Sequence, residues 1–175
     1  DVIMVGEIRD KETAEIAIRA GLTGHLVIST IHSGTSAGVF GRLINLGIEP
    51  YMAASSITGI ISQRLVRISC PDCRVEYKPS AEMLSRISGK LKPEGIVFTK
   101  GKGCPRCNMT GYDGRTGIFE LLPVDDEITE SIANKVQSRE LLALVEKKGL
   151  VTIFDDGLEK AGAGITTLEE IVRVI

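Results

Sequence analysis

The tetrapeptides Cys70-Pro71-Asp72-Cys73 and Cys104-Pro105-Arg106-Cys107 contain every cysteine of this 175-residue chain. A Cys-x-x-Cys turn directs two thiolates toward one point, and two such turns supply the four sulfur ligands of a tetrahedral structural zinc site. Redox-active cysteines are the alternative, which is the weaker one because the turns are matched and no cysteine is left over. The pattern predicts one zinc ion bound by all four thiolates, those of Cys70, Cys73, Cys104 and Cys107.

The two turns enclose a long loop. They are separated by 30 residues, more than the roughly 15–20 residues usual in a zinc ribbon. The zinc ion would therefore close a loop large enough to hold secondary structure of its own. Within it we expect a short helix over residues 80–88, capped by Ser80, and a strand over residues 96–99. A second strand is expected over residues 116–121, after the second turn.

The composition is that of a soluble globular protein and excludes several classes of function. Hydrophobic residues make up 43% and charged residues 25% of the chain, whose net charge is −2. This charge, without a long basic run, argues against nucleic-acid binding, and the few aromatic residues offer no stacking surface for bases. No apolar stretch approaches the about 18 residues that would span a membrane. Thiols arranged for a metal fit a reducing compartment, hence the cytoplasm.

Strands and helices alternate over the first 70 residues. The apolar run over residues 2–5, bounded by Gly6, predicts a strand buried on both faces, and residues 25–32 predict a second buried strand. Between them, Asp10 is expected to cap a helix that ends at Gly21. This alternation is typical of an α/β unit with a largely parallel sheet.

Two further helices are expected before the first cysteine turn. Apolar residues at helical spacing from Val39 predict a helix that ends at Gly47. Pro50 can open another helix, which should continue to about residue 62.

The end of the chain is helical in pattern. From Asp125 onward, helices are expected after Ser138, ending at Gly149, and after Thr167, where Thr-Leu-Glu-Glu forms a capping box. These patterns divide the chain into three parts: an α/β part over residues 1–68, a zinc module over residues 69–122 and a helical part over residues 123–175.

Two polar residues close the predicted strands. Glu7 follows the first strand, and His32 ends the second. Ligands of open parallel sheets bind beyond the carboxyl ends of the strands, where these side chains would share one edge. Each residue also has a structural interpretation, because Glu7 can favour the dipole of the next helix and a lone strand-end histidine is more often structural than catalytic. His25 lies at the other end of its strand, roughly 20 Å from His32 at about 3.3 Å per residue, and the two cannot share a metal.

The order of these motifs resembles that of the ATPases of type II secretion and type IV pili. Residues 1–13 are similar to the Walker B segment of this family, and residues 23–33 are similar to its histidine box. The four-cysteine module resembles that of the secretion ATPase and the pilus-extending ATPase, whereas the retraction ATPases of the superfamily typically lack it. Further similar stretches follow in order to the end of the chain, at residues 63–67, 111–122, 156–158, 164–170 and Val172.

The resemblance implies an α/β chain with a partial RecA-like P-loop NTPase core, followed by a tetracysteine zinc subdomain and a helical carboxyl-terminal subdomain. It implies a cytoplasmic homo-hexamer, peripheral at the inner membrane, that couples ATP hydrolysis to movement of an inner-membrane secretion or pilus platform. By the same resemblance Glu7 would polarise the attacking water, His32 would contact the γ-phosphate of ATP, and His25 would be structural or lie between subunits. Mg²⁺ would depend mainly on the P-loop hydroxyl and on waters.

That P-loop does not occur in the 175 residues. The nearest approach to Gly-x-x-x-x-Gly-Lys-Ser/Thr is Gly89-Lys90, which Leu91 follows. The family's Asp box and nucleotide-contacting arginines would also precede Asp1, so we expect the carboxyl-terminal part of a motor ATPase, inactive by itself. A non-enzymatic, zinc-stapled docking or assembly module is the alternative. A nucleic-acid-binding zinc ribbon is more distant, since the acidic balance speaks against it.

Overall fold

The chain forms two compact units, each with its own hydrophobic core. The computed structural model describes residues 1–87, 96–134 and 138–175. The first unit consists of Asp1–Ser62 and Leu121–Leu150, and the second of Gln63–Glu120 and Val151–Ile175. The three-part division expected from the sequence stays a prediction. Gly89-Lys90-Leu91, noted above for its partial likeness to a P-loop, lies outside the described residues.

The described elements mix short strands with short helices. In chain order they are β1 (Val2–Val5), α1 (Lys11–Leu22), β2 (Leu26–Ser29), α2 (Gly38–Asn45), α3 (Pro50–Ser56), β3 (Gly59–Ser69), β4 (Arg74–Glu76), α4 (Ala81–Ile87), β5 (Thr99–Gly101), a 3₁₀ turn (Pro105–Cys107), β6 (Tyr112–Pro123), α5 (Asp126–Ala133), α6 (Ser138–Lys147), α7 (Ile153–Gly162) and α8 (Leu168–Val174).

The first unit contains the predicted parallel strand pair. Strands β1 and β2 pair in parallel, with Val2 opposite Leu26 and Val5 opposite Ser29. Helix α1 connects them and packs against β2. Because the strands are parallel, the loops that follow them leave from the same edge of the sheet.

The prediction that both strands are buried on two faces is wrong for this chain. Exposure alternates along each strand, and Met4 is 83% exposed while Ile3 and Val5 are partly buried. On β2 the side chains of Leu26 and Ile28 are likewise more than half exposed. Such alternation is typical of a sheet that is covered on one face, and in the described part of the chain the other face is open.

Helix α1 begins where the sequence predicts but ends later. The Asp10 carboxylate accepts a hydrogen bond from the backbone N–H of Thr13 at 2.9 Å, which confirms it as the N-cap. The predicted end at Gly21 is wrong, because the helix continues to Leu22. The residue that takes the left-handed conformation after the helix is Gly24, with φ of +95°.

The helix expected from Pro50 to about residue 62 is also wrong in its second half. Helix α3 ends at Ser56, and β3 begins at Gly59. The residues beyond the helix include Ile57, Ile60 and Ile61, whose β-branched side chains lose rotamer freedom in a helix and favour a strand. The predicted helix end at Gly47 is confirmed, since α2 ends at Asn45 and Gly47 has φ of +90°.

The helix α4 and the strands of the second unit partly match expectation. Ser80 caps α4, accepting a hydrogen bond from the N–H of Met83 at 3.2 Å, and residue 88 of the predicted helix lies outside the described residues. The strand expected over residues 96–99 is instead β5, which pairs antiparallel with β4 from Arg74–Gly101 to Glu76–Thr99. The strand expected over residues 116–121 lies inside the longer β6, which pairs with β3.

Helices α7 and α8 close the core of the second unit. Leu158 and Ile171 are buried there against Val66 of β3 and Ile118 of β6. Gly157 lets the two helices approach, since a Cβ at this position would lie 3.0 Å from side-chain atoms of Ile171. The packing of these helices therefore depends on a small residue at one contact.

A buried carboxylate joins β3 to α8. Glu170 is fully buried and accepts hydrogen bonds from the backbone N–H of Arg67 at 3.0 Å and from its guanidinium at 2.7 Å. Arg173 donates to both carboxylate oxygens, at 2.8 and 2.7 Å. Burial raises the pKa of Glu170, but the hydrogen bonds from Arg173 and Arg67 outweigh it and lower the pKa to about 2.

Because Glu170 pairs with the two arginines, only half of the capping box predicted at Thr167 forms. The Thr167 hydroxyl accepts a hydrogen bond from the N–H of Glu170 at 3.1 Å, as expected. The reciprocal half is absent, because both oxygens of the Glu170 carboxylate bind the two arginines instead. A full capping box stands at the start of α7, between Thr152 and Asp155.

We predict that Glu170→Gln lowers the free energy of unfolding by about 3 kcal/mol near neutral pH, because it removes a buried charge that two arginines require. The folded-state pKa of about 2 lies below the ordinary value of 4.5, so the stabilisation is full above about pH 4.5 and is lost as the pH falls toward 2. Urea unfolding across this pH range measures it.

The exposed Glu159→Gln on α7 is the matched control and should change stability little. An equal loss of stability in both variants at neutral pH would contradict the prediction.

Candidate functional site

The four cysteines meet at one point of the second unit. All four sulfur atoms lie within 4.8 Å of one another. Sγ–Sγ distances are 3.8 Å for Cys70 and Cys104, 3.9 Å for Cys73 and Cys107, and 3.7 Å for Cys104 and Cys107. A tetrahedron of sulfur atoms about 2.3 Å from a zinc ion has edges of about 3.8 Å. Disulfides have S–S separations of about 2.05 Å, so the donor set fits a four-coordinate metal and the cysteines are free thiols.

Each cysteine turn is fixed by neighbouring backbone. The N–H of Cys70, directly after β3, donates to the carbonyl oxygen of Gly111 at 2.9 Å, and the N–H of Lys102 donates to the carbonyl of Cys73 at 3.0 Å. Strands β4 and β5 pair between the two turns and bring the ends of the loop together. The short antiparallel pair therefore positions the second turn opposite the first.

The second turn depends on residues in the left-handed conformation. Asn108 and Met109 have φ of 49° and 61°, and Gly103 and Gly111 also have positive φ. Gly101 lies so close to Gly111 that a Cβ on it would stand 2.1 Å from the carbonyl oxygen of Gly111. The backbone can approach this closely only because a glycine occupies position 101.

Backbone N–H groups point at the sulfur atoms. Gly103 donates to the sulfur of Cys73 at 3.3 Å, while Cys104 and Gly111 donate to that of Cys107 at 3.2 and 3.3 Å. Burial raises the pKa of Cys107, but these donors and the neighbouring thiols lower it to about 6. At Cys73 burial dominates and raises the pKa to about 11. Donors of this kind stabilise metal-bound thiolates.

Glu7 and His32 meet beyond the carboxyl ends of β1 and β2, although His32 does not end the second strand as predicted, because β2 stops at Ser29. Their Oε1 and Nε2 atoms are 3.0 Å apart. The Glu7 side chain is largely buried whereas that of His32 is 90% exposed. Arg9 binds the other carboxylate oxygen at 2.6 Å, and this hydrogen bond is the main reason that the pKa of Glu7 is lowered. The pair therefore presents an ionised carboxylate beside a solvent-facing imidazole.

Two further polar residues of this region, His25 and Asp10, lie outside the Glu7–His32 pair. His25 is exposed directly before β2, with its Nδ1 3.3 Å from the Thr23 hydroxyl. Asp10, rather than Glu7, caps α1. The sequence reasoning missed Arg9 as the partner of Glu7, although the spacing Glu7-x-Arg9 in the loop after β1 was a signal for it.

The described fold is a mixed α/β chain with a strand-end carboxylate–histidine pair and a four-cysteine cluster that can hold a metal ion. The family described as Type II/IV secretion system protein matches residues 1–173. The chain therefore belongs to this family.

Individual relatives agree over nearly the whole chain. The type II secretion system ATPase E of Vibrio cholerae is 48% identical over 99% of this chain and 34% of its own length. The type IV pilus assembly ATPase PilB of Thermus thermophilus is 49% identical over 98% of this chain and 20% of its own length. The chain thus spans about a third of the secretion relative and a fifth of the pilus relative.

A solved structure has the same fold. The X-ray structure of the Legionella pneumophila ATPase DotB superposes with a TM-score of 0.64, covering 98% of this chain and 37% of that chain at 22% identity. Among the described residues, no helix is both long and apolar enough to cross a membrane.

We predict that Gly101→Ala disrupts the second cysteine turn, because its methyl group would overlap the Gly111 carbonyl. The variant should bind metal far more weakly than the wild-type chain, as measured by competition with a chromophoric chelator. Gly162→Ala in α7 is the control, since a Cβ there meets Ile96 at an ordinary 3.5 Å. Equal metal affinity in the two variants would count against the proposed role of this close approach.

Proposed function

We propose that this chain is the carboxyl-terminal part of a cytoplasmic motor ATPase that drives pseudopilus assembly in type II secretion or type IV pilus extension. The observation that carries the proposal is the family match over residues 1–173, together with relatives named ATPases of secretion and pilus assembly. Both kinds of relative cover the whole chain at similar identity, so either process fits. Residues 1–68 would be the carboxyl-terminal half of a RecA-like nucleotide-binding domain.

Glu7 would act on water in this proposal. Its carboxylate is ionised, largely buried, and placed at the edge of a parallel sheet, where ligands of such sheets bind. An ionised carboxylate held there can orient and polarise the water that attacks ATP. His32, within 3.0 Å of it and open to solvent, would contact the γ-phosphate.

The remaining catalytic parts would lie outside this chain. A P-loop cradles phosphates through backbone N–H groups and a lysine, and it holds Mg²⁺ through a hydroxyl. ATP and Mg²⁺ would therefore be bound mainly by that segment of the whole protein, with Glu7 and His32 completing the site. The assembled protein would be a homo-hexamer at the inner membrane, attached through platform proteins of the secretion or pilus machinery.

The four-cysteine cluster would hold structural Zn²⁺. Four cysteine ligands would complete a tetrahedral coordination shell and leave no position for a water or substrate, which is typical of structural rather than catalytic zinc. When bound, the ion would supply folding free energy to the second unit. The backbone donors at Cys73 and Cys107 would stabilise the ligating thiolates.

A non-enzymatic docking or assembly module is the second candidate. The specific observation in its favour is that the 175 residues contain a complete four-cysteine site but no Gly-x-x-x-x-Gly-Lys-Ser/Thr. The two candidates differ in whether hydrolysis in the whole protein depends on Glu7.

The 175-residue chain alone is predicted not to bind ATP tightly, because its sequence contains no Gly-x-x-x-x-Gly-Lys-Ser/Thr, the motif whose lysine and backbone N–H groups would neutralise the phosphates. Calorimetric titration with ATP and Mg²⁺ should give no resolvable binding heat. Micromolar affinity would reveal a second nucleotide site and overturn this prediction.

In the full-length ATPase, Glu7→Gln should lower kcat by about 10²–10⁴-fold and leave ATP affinity nearly unchanged. The substitution keeps the shape of the side chain but removes the charge that orients water, whereas binding depends on the P-loop. His32→Ala should reduce kcat less. Steady-state hydrolysis by the assembled protein is the measurement.

Glu12→Gln is the matched control for that experiment, because Glu12 is an exposed acid in the first turn of α1. Its kcat should be that of the wild type. Near-normal hydrolysis by Glu7→Gln would remove Glu7 from the mechanism and favour its interpretation as a structural carboxylate.

A further inference from the structure

The two cysteine turns carry opposite charges at the same position. Asp72 is the third residue of the first turn, and Arg106 is the third residue of the second. The Arg106 Nη1 atom lies 3.0 Å from Oδ1 of Asp72, and its Nε atom lies 2.8 Å from Oδ2 of Asp113. One guanidinium thus bridges the two turns and the start of β6. We call these three residues the clasp.

Each member of the clasp lies within two residues, along the sequence, of a sulfur ligand or of a residue whose N–H donates to one. Asp72 lies between Cys70 and Cys73, the two sulfur ligands of the first turn. Asp113 lies two residues after Gly111, whose N–H donates to the sulfur of Cys107 at 3.3 Å. Holding the side chains of Asp72 and Asp113 therefore also restrains the first cysteine turn and the segment next to the Gly111 peptide, which donates to the sulfur of Cys107.

We propose that Arg106 is a positioning residue that holds the two cysteine turns together and slows the release of the metal ion. The inference rests on the proposed metal binding, and it adds a function for a residue that is not a ligand. Metal release requires that the ligand turns separate, at least in part. The clasp opposes that separation because Arg106 spans both turns.

The clasp is accessible to solvent, which sets the size of its effect. The side chains of Arg106 and Asp72 are 54% and 51% exposed. Ion pairs this exposed are weak, so losing the clasp should speed release by about 3- to 10-fold rather than abolish binding. Exposure also makes the clasp sensitive to salt, since dissolved ions screen charges at the surface.

A purely electrostatic effect of these charges on the thiolates would change the rates of metal release in a different way. If the charges acted only on the thiolates, removing the negative charge of Asp72 would favour the thiolate form and slow release, while removing the positive charge of Arg106 would speed it. The clasp predicts faster release in both cases. Asp72→Asn therefore separates the two explanations.

The test compares zinc release from the wild-type chain, Arg106→Gln, Asp72→Asn and the double variant, using an excess of chromophoric chelator as the probe. Arg106→Gln and Asp72→Asn should each release zinc about 3- to 10-fold faster, and the double variant no faster than Arg106→Gln. Arg106→Lys should recover part of the slow release. Arg86→Gln is the control, because it breaks an exposed ion pair with Glu82 inside α4, away from the cysteine turns in sequence.

The dependence of the zinc release rate on ionic strength separates the clasp from a purely structural role of Arg106, which salt would not affect. Between about 0.01 M and about 1 M salt the screening length falls from about 30 Å to about 3 Å, so release from the wild type should accelerate while release from Arg106→Gln stays nearly constant. Three results would each overturn the clasp while leaving the metal site intact. They are a wild-type rate of zinc release in Arg106→Gln, a slower rate in Asp72→Asn, and additive effects of the two substitutions in the double variant. A wild-type chain that binds no zinc would overturn both proposals.

Discussion

The second unit depends on bringing cysteines 34 residues apart in sequence to within 3.9 Å of one another. Its backbone is arranged around this constraint. Strands β4 and β5 are only three residues long each and could not hold such a loop closed by themselves. The close approach of Gly101 to Gly111, and the left-handed Asn108 and Met109, are local costs that a shared metal ion would offset.

The segments that flank the cysteine turns also contact the carboxyl-terminal helix α8. β3 ends directly before Cys70, and its residue Arg67 binds Glu170 of α8. Arg67 also lies 4.0 Å from the ring centre of Tyr112, whose hydroxyl is 2.9 Å from that of Thr167. Tyr77, just after β4, donates to Glu169 at 2.6 Å. These contacts connect the elements that flank the cysteine turns to α8, so the four-cysteine site and the second core are joined through directly contacting side chains.

Much of this could be predicted from sequence, because the strongest signals are local. Each Cys-x-x-Cys turn can be recognised from four adjacent residues, and Asp10 and Ser80 cap helices through neighbours three residues away. The parallel pairing of β1 and β2 follows from a strand–helix–strand pattern. That pairing also led correctly to the meeting of Glu7 with His32. Their catalytic roles, and the identity of the metal, stay proposals.

What could not be predicted depends on contacts distant in sequence. An apolar run such as Val2–Val5 does not reveal how many faces of its sheet are covered, and within the described ranges of the chain one face is open. The position of β5 follows from its pairing with β4. The carboxylate of Glu170, expected to cap its own helix, is instead bound by Arg67 more than 100 residues away. Segment 57–61 shows the reverse case, since its β-branched residues already favoured the strand that the helical interpretation overlooked.

Zinc-edge X-ray absorption of the chain, purified without chelator, tests the metal centre most directly. One zinc ion per chain, with four sulfur ligands at about 2.3 Å and no nitrogen ligand, is the expected result. A folded chain that carries no metal and has all four thiols free to titrate would contradict it. A coordination shell that includes a histidine nitrogen would contradict it as well.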